Sequence, residues 1–277
     1  MSIDWLLAHE GPLRLGIFLA VLGLMLLLQW GFPLRGDGRW SRRQLNNLGM
    51  VVVGTLVIRL VLPVLAVSWA LDVSEQGWGL LPAIGLDGLP HVLAAIVLLD
   101  LAIYWQHRLF HHLPWLWRLH RVHHSDTAFD TTTGARFHPL ELLLSLLIKL
   151  AVIAMIGAPA LAVLVFEVLL SSGALFTHAD FALPRRFDRW LRWLLVTPSM
   201  HRVHHSPQRH ETDSNFGFHL SCWDRLFGSY RDSPQRPEAE MTIGLEHWRD
   251  ANAQRLIALL GQPLQEPAAP ARNDDHA

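Results

Sequence analysis

Histidine is the residue whose number and spacing stand out in this 277-residue sequence. Thirteen of its 17 histidines fall between His107 and His219, and they are grouped. The segment that starts at His107 reads HRLFHH, and the hexapeptide HRVHHS occurs at 120–125 and again, letter for letter, at 201–206. On a helix, residues three and four positions apart share a face, so each group can aim two or three imidazoles at one point. Because imidazole is a common ligand of zinc, copper, iron and nickel, the spacing predicts a metal site.

The number of clustered imidazoles indicates two metal ions rather than one. A single tetrahedral or octahedral ion takes about three to six ligands. The three groups supply eight candidates: His107, His111, His120, His123, His124, His201, His204 and His205. His178 would be a ninth, whereas His112 lies about 140° around a helix from His107 and is disfavoured. The sequence lacks the Glu-x-x-His pairs of ferritin-like di-iron proteins, so we expect a dimetal centre built from neutral donors.

Four long apolar stretches must position these side chains. They cover 15–30, 48–71, 89–106 and 140–177, and 51% of all residues are hydrophobic while 17% are charged. A helix needs about 20 mostly apolar residues to span a bilayer. The fourth stretch is about twice the length of a short span and has Gly-Ala-Pro at 157–159, which predicts a helical hairpin. The expected fold is an all-α integral membrane protein with a helical cap that carries the histidines.

The predicted organisation has three parts and a defined orientation. Residues 1–106 form N-terminal transmembrane helices, 107–260 form the histidine region including the hairpin 140–177, and 261–277 form a disordered tail rich in Pro and Ala. Four arginines lie between the first two apolar stretches, and no Lys or Arg lies between the second and third. Counting positive charges therefore places the histidines on the cytoplasmic face. A hairpin returns the chain to that face, so the two HRVHHS segments can meet.

Composition and absent motifs exclude several classes of function. The chain has one cysteine, Cys222, so it cannot form an intrachain disulfide, a Cys-rich zinc module or a thiolate-held iron–sulfur cluster. The net charge of −1 excludes a strongly basic nucleic-acid-binding domain. An intramembrane zinc hydrolase would carry HExxH, which is absent. A histidine-rich metal transporter, or a metal-binding protein without oxygenase activity, remains the alternative, although the apolar stretches hold few of the polar residues that transport would need.

The histidine pattern, with an apolar hairpin before its last group, resembles the fatty acid hydroxylase / sterol desaturase superfamily from about 100 to 230. The similar segments are LWRLHRVHHS (116–125), RFHP (136–139), THAD (177–180), TPSMHRVHHS (197–206) and NFGFHLSCWDRLFGSY (215–230). The chain has Phe216 where the family commonly has Tyr, and Asp180 where Asn is common. The resemblance implies a membrane diiron centre on nine histidines: His107, His111, His120, His123, His124, His178, His201, His204 and His205. It also implies His138 as an extra ligand or as a support for one.

The resemblance further implies O2-dependent hydroxylation or desaturation of a lipid C–H bond, with two iron ions as cofactor and O2 as co-substrate. The chain has no nucleotide-binding glycine fingerprint, cysteine set or spare domain for haem, so a separate reductase or ferredoxin-type protein must supply electrons. Neutral ligands leave the metal charge uncompensated, so nearby carboxylates are expected to hold the imidazole N–H groups. The candidates for this role are Asp100, Asp126, Asp130, Asp213 and Asp224.

Overall fold

The computed structural model describes residues 2–36, 40–62 and 64–266. Within these ranges the chain is helical, and its only β-type pairings are two isolated bridges, Pro33–Phe181 and Leu195–Leu220. The helices are α1 (Ile3–Ala8), α2 (Glu10–Gly31), α3 (Arg42–Val61), α4 (Ala66–Glu75), α5 (Leu80–Ala83), α6 (Gly88–His112), α7 (Pro114–His124), α8 (Pro139–Ile156), α9 (Ala160–Thr177), α10 (Arg185–Leu191), α11 (Pro198–His204), α12 (Arg209–Thr212), α13 (Cys222–Leu226) and α14 (Leu256–Gly261).

Five described segments are long and apolar enough to cross a membrane: α2, the segment Arg42–Ala83 that begins with α3, α6, α8 and α9. The prediction of an all-α membrane protein is therefore confirmed. The second apolar stretch is divided between helices, because α3 ends at Val61, shortly before Pro63, and α4 begins at Ala66. The predicted boundary between 106 and 107 falls inside α6, so this single helix belongs both to the membrane base and to the histidine region.

The predicted hairpin is formed by α8 and α9. Its turn depends on Gly157, which has a left-handed φ of 68° and follows the last residue of α8. A Cβ at this position would lie 2.4 Å from the carbonyl oxygen of Trp78, so only glycine fits without strain. The hairpin returns the chain from Pro139 to His178 at the same end of the molecule. Helix α9 is the centre of the bundle and packs against α2, α4 and α6.

The segment that follows residue 260 differs from the prediction of a disordered tail from 261 onward. A 3-10 turn, Gln262–Leu264, continues α14, and Gln262 is buried. The carbonyl oxygen of Gln262 accepts a hydrogen bond of 2.8 Å from Arg121, and its side-chain oxygen accepts one of 3.0 Å from Ser125. These contacts hold 261–266 against α7, while 267–277 lies outside the described residues.

Candidate metal centre

Four elements bring the clustered histidines to one end of the bundle. His107 and His111 lie on the last turns of α6, and α7, α11 and the end of α9 supply the others. Pro114 and Pro198 occupy the first turns of α7 and α11, where a missing N–H costs nothing. Thr197 caps α11, as expected, since its side chain accepts a hydrogen bond from the backbone N–H of Met200.

The nine histidines form two separate buried groups. Within each group, one ring nitrogen from every residue lies within 4.8 Å of the others. The five-histidine group is His107, His111, His120, His124 and His204. The four-histidine group is His123, His178, His201 and His205. Each copy of HRVHHS contributes to both groups.

Hydrogen bonds fix the proton positions in the five-histidine group. Nδ1 of His107 donates to the carbonyl oxygen of Phe216 at 2.8 Å, and Nδ1 of His204 donates to that of Ser214 at 2.7 Å. A neutral imidazole carries one N–H, so both rings present a lone pair at Nε2. These two Nε2 atoms lie 3.0 Å apart. Two facing lone pairs cannot hydrogen bond with each other, and a cation bound by both nitrogens would offset their repulsion.

The four-histidine group also brings ring nitrogens with lone pairs close together. Nδ1 of His178 donates to the carbonyl oxygen of Ala174 at 2.7 Å, so its Nε2 holds a lone pair. This Nε2 lies 3.0–3.1 Å from the Nε2 atoms of His123, His201 and His205, and one lone pair accepts at most one hydrogen bond. Adjacent ligands at right angles on bonds of about 2.1 Å would stand about 3.0 Å apart. The spacing of the nitrogens therefore fits a bound metal ion.

Burial keeps these imidazoles neutral. It lowers the pKa of His178 to about 4 and the pKa of His204 to about 3, because desolvation penalises the charged ring. The pKa values of His123 and His201 are also well below the ordinary range, with burial as the largest cause and neighbouring histidines as the next. Metal binding requires the neutral form of the ring, so both groups are ready for a cation at neutral pH.

Three of the carboxylates predicted to hold imidazoles have other partners. Asp126 accepts hydrogen bonds of 2.7 and 2.8 Å from Arg43, and Asp130 also pairs with Arg43 and caps the 3-10 turn Thr131–Ala135. Asp224 accepts hydrogen bonds of 2.8 Å from the backbone N–H groups of Phe216 and Gly217. A guanidinium and free backbone donors thus take these oxygens. The structure shows no hydrogen bond from Asp126, Asp130 or Asp224 to a clustered histidine among the described residues.

The remaining two carboxylates reach histidines in different ways. Asp213 Oδ1 lies 3.5 Å from Nδ1 of His111, beyond normal hydrogen-bond range, and the same side chain pairs with Arg209. Asp100 accepts a hydrogen bond of 2.8 Å from Nδ1 of His219, which belongs to neither group.

His138 does not join either group, and Glu141 takes a role that the sequence did not reveal. Nδ1 of His138 caps α8 by accepting from the N–H of Leu140, and its Nε2 donates to the carbonyl oxygen of Leu260. Both ring nitrogens are thus in use, and the structure places His138 in neither histidine group. Glu141, one helical turn later, accepts a hydrogen bond of 2.6 Å from Nδ1 of His120. Acidic residues are common in the first turn of a helix, so the position of Glu141 in the sequence did not indicate a role beside a ligand histidine.

A largely apolar cavity of about 400 Å³ adjoins the histidines. Rings from both groups form one end of it: His107, His120, His123, His178 and His201. From there it continues between α2, α3, α6, α8 and α9 into the part of the bundle that crosses the membrane. A paired metal site at the end of an apolar cavity is suited to chemistry on a hydrocarbon group.

Comparison with known proteins gives one consistent result. The sequence profile of the fatty acid hydroxylase family matches residues 92–229. The chain is 28% identical over 173 residues to an ornithine lipid hydroxylase of Rhizobium tropici, covering 62% of this chain and 50% of that protein. It is 32% identical over 160 residues to an alkylglycerol monooxygenase of Xenopus tropicalis, covering 53% of this chain and 31% of that protein.

A third relative matches over a greater share of its length. The chain is 27% identical over 224 residues to a cholesterol 25-hydroxylase of Rattus norvegicus, covering 79% of this chain and 70% of that protein. The chain spans half or less of the length of the two relatives described first. No solved structure matches it significantly. The profile match spans both HRVHHS segments and the hairpin between them, so residues 92–229 of this chain carry a fatty acid hydroxylase domain.

Proposed function

We propose that this protein is a membrane-bound diiron oxygenase that uses O2 to hydroxylate, or alternatively desaturate, a C–H bond of a lipid. The observation that carries the proposal is the convergence of two groups of buried, neutral histidines at the end of an apolar cavity. Nine such histidines suit two metal ions, one for each group.

In this proposal the residues of the chain bind the metal ions, orient the ligand rings and shield the lipid from water. The five-histidine and four-histidine groups would hold one iron ion each, and the bound iron would supply the O2 activation that C–H oxidation needs. The carbonyl oxygens of Phe216 and Ser214 orient two of the ligand rings, and Glu141 adds a carboxylate behind His120. Such partners raise ligand basicity and fix the ring orientation. The apolar cavity wall excludes water and holds a hydrocarbon chain beside the ligands.

The comparisons favour a lipid substrate and hydroxylation. The three relatives are named for the hydroxylation or mono-oxygenation of an ornithine lipid, an alkylglycerol and cholesterol, which are lipids of different kinds. This supports lipid oxidation by the present chain over the alternative of a metal transporter. We further propose that electrons come from a separate donor protein. It would dock on the face that carries the histidines, which the charge pattern predicts to be cytoplasmic.

Iron analysis and lipid mass spectrometry together test the proposal. Protein produced with ample iron is expected to hold two iron ions per chain, and host lipids are expected to gain one oxygen atom when the gene is expressed. His123→Ala should abolish the product, because His123 belongs to the four-histidine group. His112→Ala is the matched control, since His112 is exposed and its Nδ1 donates to the carbonyl oxygen of Arg108. One iron ion or none, or an active His123→Ala variant, would contradict the proposal.

A further inference from the structure

A cluster of charged side chains lies within the apolar hairpin, far from the histidines. Lys149 of α8, the only lysine of the chain, pairs with Glu167 of α9, and Glu167 also pairs with Arg14 of α2. The exposed fractions of the Lys149 and Glu167 side chains are 9% and 8%. Ionisable residues inside a membrane segment are costly and usually mark a functional site. The diiron chemistry described above makes no use of these three.

The charged cluster and the histidines line the same cavity. Arg14, Lys149 and Glu167 line it, and so do ligand rings from both histidine groups. Lys149 and Glu167 lie in the middle of α8 and α9, whereas the histidines lie beyond the ends of these helices. His178 follows Glu167 by eleven positions along α9 and its cap, which corresponds to about 16 Å along a helix. An extended chain advances roughly 1.2 Å per bond, so Glu167 and His178 are about 13 bonds apart.

The three members of the cluster that line the cavity, Arg14, Lys149 and Glu167, offer it hydrogen-bond donors but no free acceptor. Both carboxylate oxygens of Glu167 are engaged, Oε1 by Lys149 and Oε2 by Arg14. An ammonium group has three N–H donors, and in the described part of the chain Lys149 uses one of them. A ligand that binds here must therefore bring an oxygen that accepts a hydrogen bond.

The balance of charges within the cluster favours a ligand whose oxygen atom is uncharged. Glu10 lies 3.7 Å from Arg14, so two cations face two carboxylates and the cluster has no net charge. An added carboxylate or phosphate would leave one uncompensated charge in an apolar surrounding, which is strongly unfavourable. A hydroxyl or carbonyl oxygen would use the spare donors of Lys149 without changing the balance.

We propose, building on the proposed lipid oxygenase function, that Lys149, held by Glu167 and Arg14, binds a neutral oxygen group at one end of the lipid substrate. The bound oxygen fixes the register of the chain in the cavity. The carbon that reaches the histidine end is then the one about 13 bonds away. The substrate class is a lipid with a hydroxyl or carbonyl group at one end and an unactivated C–H bond near the other. These residues determine specificity and do not touch the reacting carbon.

Binding to metal-free protein tests the proposal independently of catalysis. The probes are radiolabelled hexadecanol, methyl hexadecanoate, hexadecanoic acid and hexadecane, measured by scintillation proximity with the full chain in detergent. The alcohol, the ester or both should bind at least about tenfold more tightly than the acid and the alkane, and comparison of the two separates a hydroxyl from a carbonyl ligand. Lys149→Met should weaken that binding by about ten- to a hundred-fold, the range expected for one charged hydrogen bond.

Further variants separate loss of the subsite from loss of folding. Lys149→Met with Glu167→Gln removes both members of the buried pair and leaves no unpaired carboxylate, so it should fold and show the same loss of binding. Leu147→Met, on the exposed side of α8, is the matched control and should bind as the wild type does. Hexadecane binding as tightly as hexadecanol, or the acid binding more tightly than the alcohol, would overturn the proposal.

Product analysis of iron-loaded protein gives the second readout. Across alcohols or esters of increasing length, oxidation should stay at a constant distance from the oxygen in the wild type and spread over several carbons in the double variant. Oxidation at a constant distance from the methyl end instead would overturn the proposal. Selective binding of neutral oxygen with no oxidised product would leave the subsite supported and would refute the oxygenase function alone.

Discussion

Replacing Glu141 should weaken iron binding in the five-histidine group and leave the four-histidine group unchanged. The Glu141 carboxylate accepts the Nδ1–H of His120 at 2.6 Å, and the exposed fractions of the two side chains are 7% and 4%. Loss of such a partner typically costs about ten- to a hundred-fold in metal affinity, or about 1.4–2.8 kcal/mol. Glu141→Leu should show this full loss. Glu141→Gln retains an acceptor oxygen without the charge, so it should lose about three- to tenfold.

The assay is a competition titration of iron against a chelator of known affinity, at neutral pH, with two binding constants fitted per chain. In Glu141→Leu, one constant should fall by the stated factor and the other should stay at its wild-type value. Asp213→Asn is the comparison variant. Its carboxylate lies 3.5 Å from the ring of His111 and its side chain is 28% exposed, so we expect less than about a threefold change.

Thermal unfolding of the metal-free proteins shows whether a variant is folded before iron is added. If folded Glu141→Leu binds both iron ions with wild-type affinity, the carboxylate has no part in holding the five-histidine group. If both constants fall equally, the division of the ligands between two ions is wrong. Either result would refute the assignment of His120 and Glu141 to one metal ion.

Three further predictions concern folding and occupancy. Asp126→Asn removes the carboxylate that faces the buried Arg136 and one of the two that pair with Arg43, and it should reduce the free energy of unfolding by about 3–5 kcal/mol. The pKa values of His178 and His204, about 4 and about 3, lie below the ordinary 6.5, so the unfolded chain binds more protons within that window. Metal-free protein should therefore be most stable above about pH 6.5 and lose thermal stability as the pH falls toward 4. Gly134→Ala places a Cβ 2.4 Å from the carbonyl oxygen that orients His178 and should reduce iron from two ions per chain to one.

Each of the three has its own control. Asp232→Asn removes an exposed carboxylate and should leave the free energy of unfolding within about 0.5 kcal/mol of the wild type. Unchanged thermal stability of metal-free protein between about pH 7 and 5 would contradict the buried neutral rings. Gly23→Ala adds a Cβ with no heavy atom within 4 Å and should retain two iron ions. Two ions in Gly134→Ala would show that His178 can shift without loss of its metal.

Much of the fold could be predicted because its signals are local. Apolar stretches of membrane-spanning length appear as helices, and the Gly157 turn forms a left-handed end of α8 because only glycine fits beside Trp78. The sequence could not reveal which carboxylates support the histidines. Arg43 is 83 residues from Asp126 and captures it through tertiary contacts that no local spacing indicates. Glu141 reaches His120 for the same reason, through the packing of α8 beside α7.

The division of the histidines between the two groups agrees with helix geometry. At about 100° per residue, positions i and i+4 are 40° apart, whereas i+3 and i+4 are 100° apart. In HxxxH the two rings therefore join one group, and His107 and His111 both belong to the five-histidine group. In HxxHH the last two rings belong to different groups, and the two copies of HRVHHS assign them in opposite ways.

The first copy of HRVHHS gives its i and i+4 rings, His120 and His124, to the five-histidine group and His123 to the other. The second copy gives His201 and His205 to the four-histidine group and its i+3 ring to the five-histidine group. Each short helix therefore contributes to both histidine groups, and neither helix can rotate without disturbing both. This accounts for the HxxHH spacing in both copies without a wider repeat around them. Helix geometry sets the spacing of the histidines, and it places no such demand on the sequence that surrounds them.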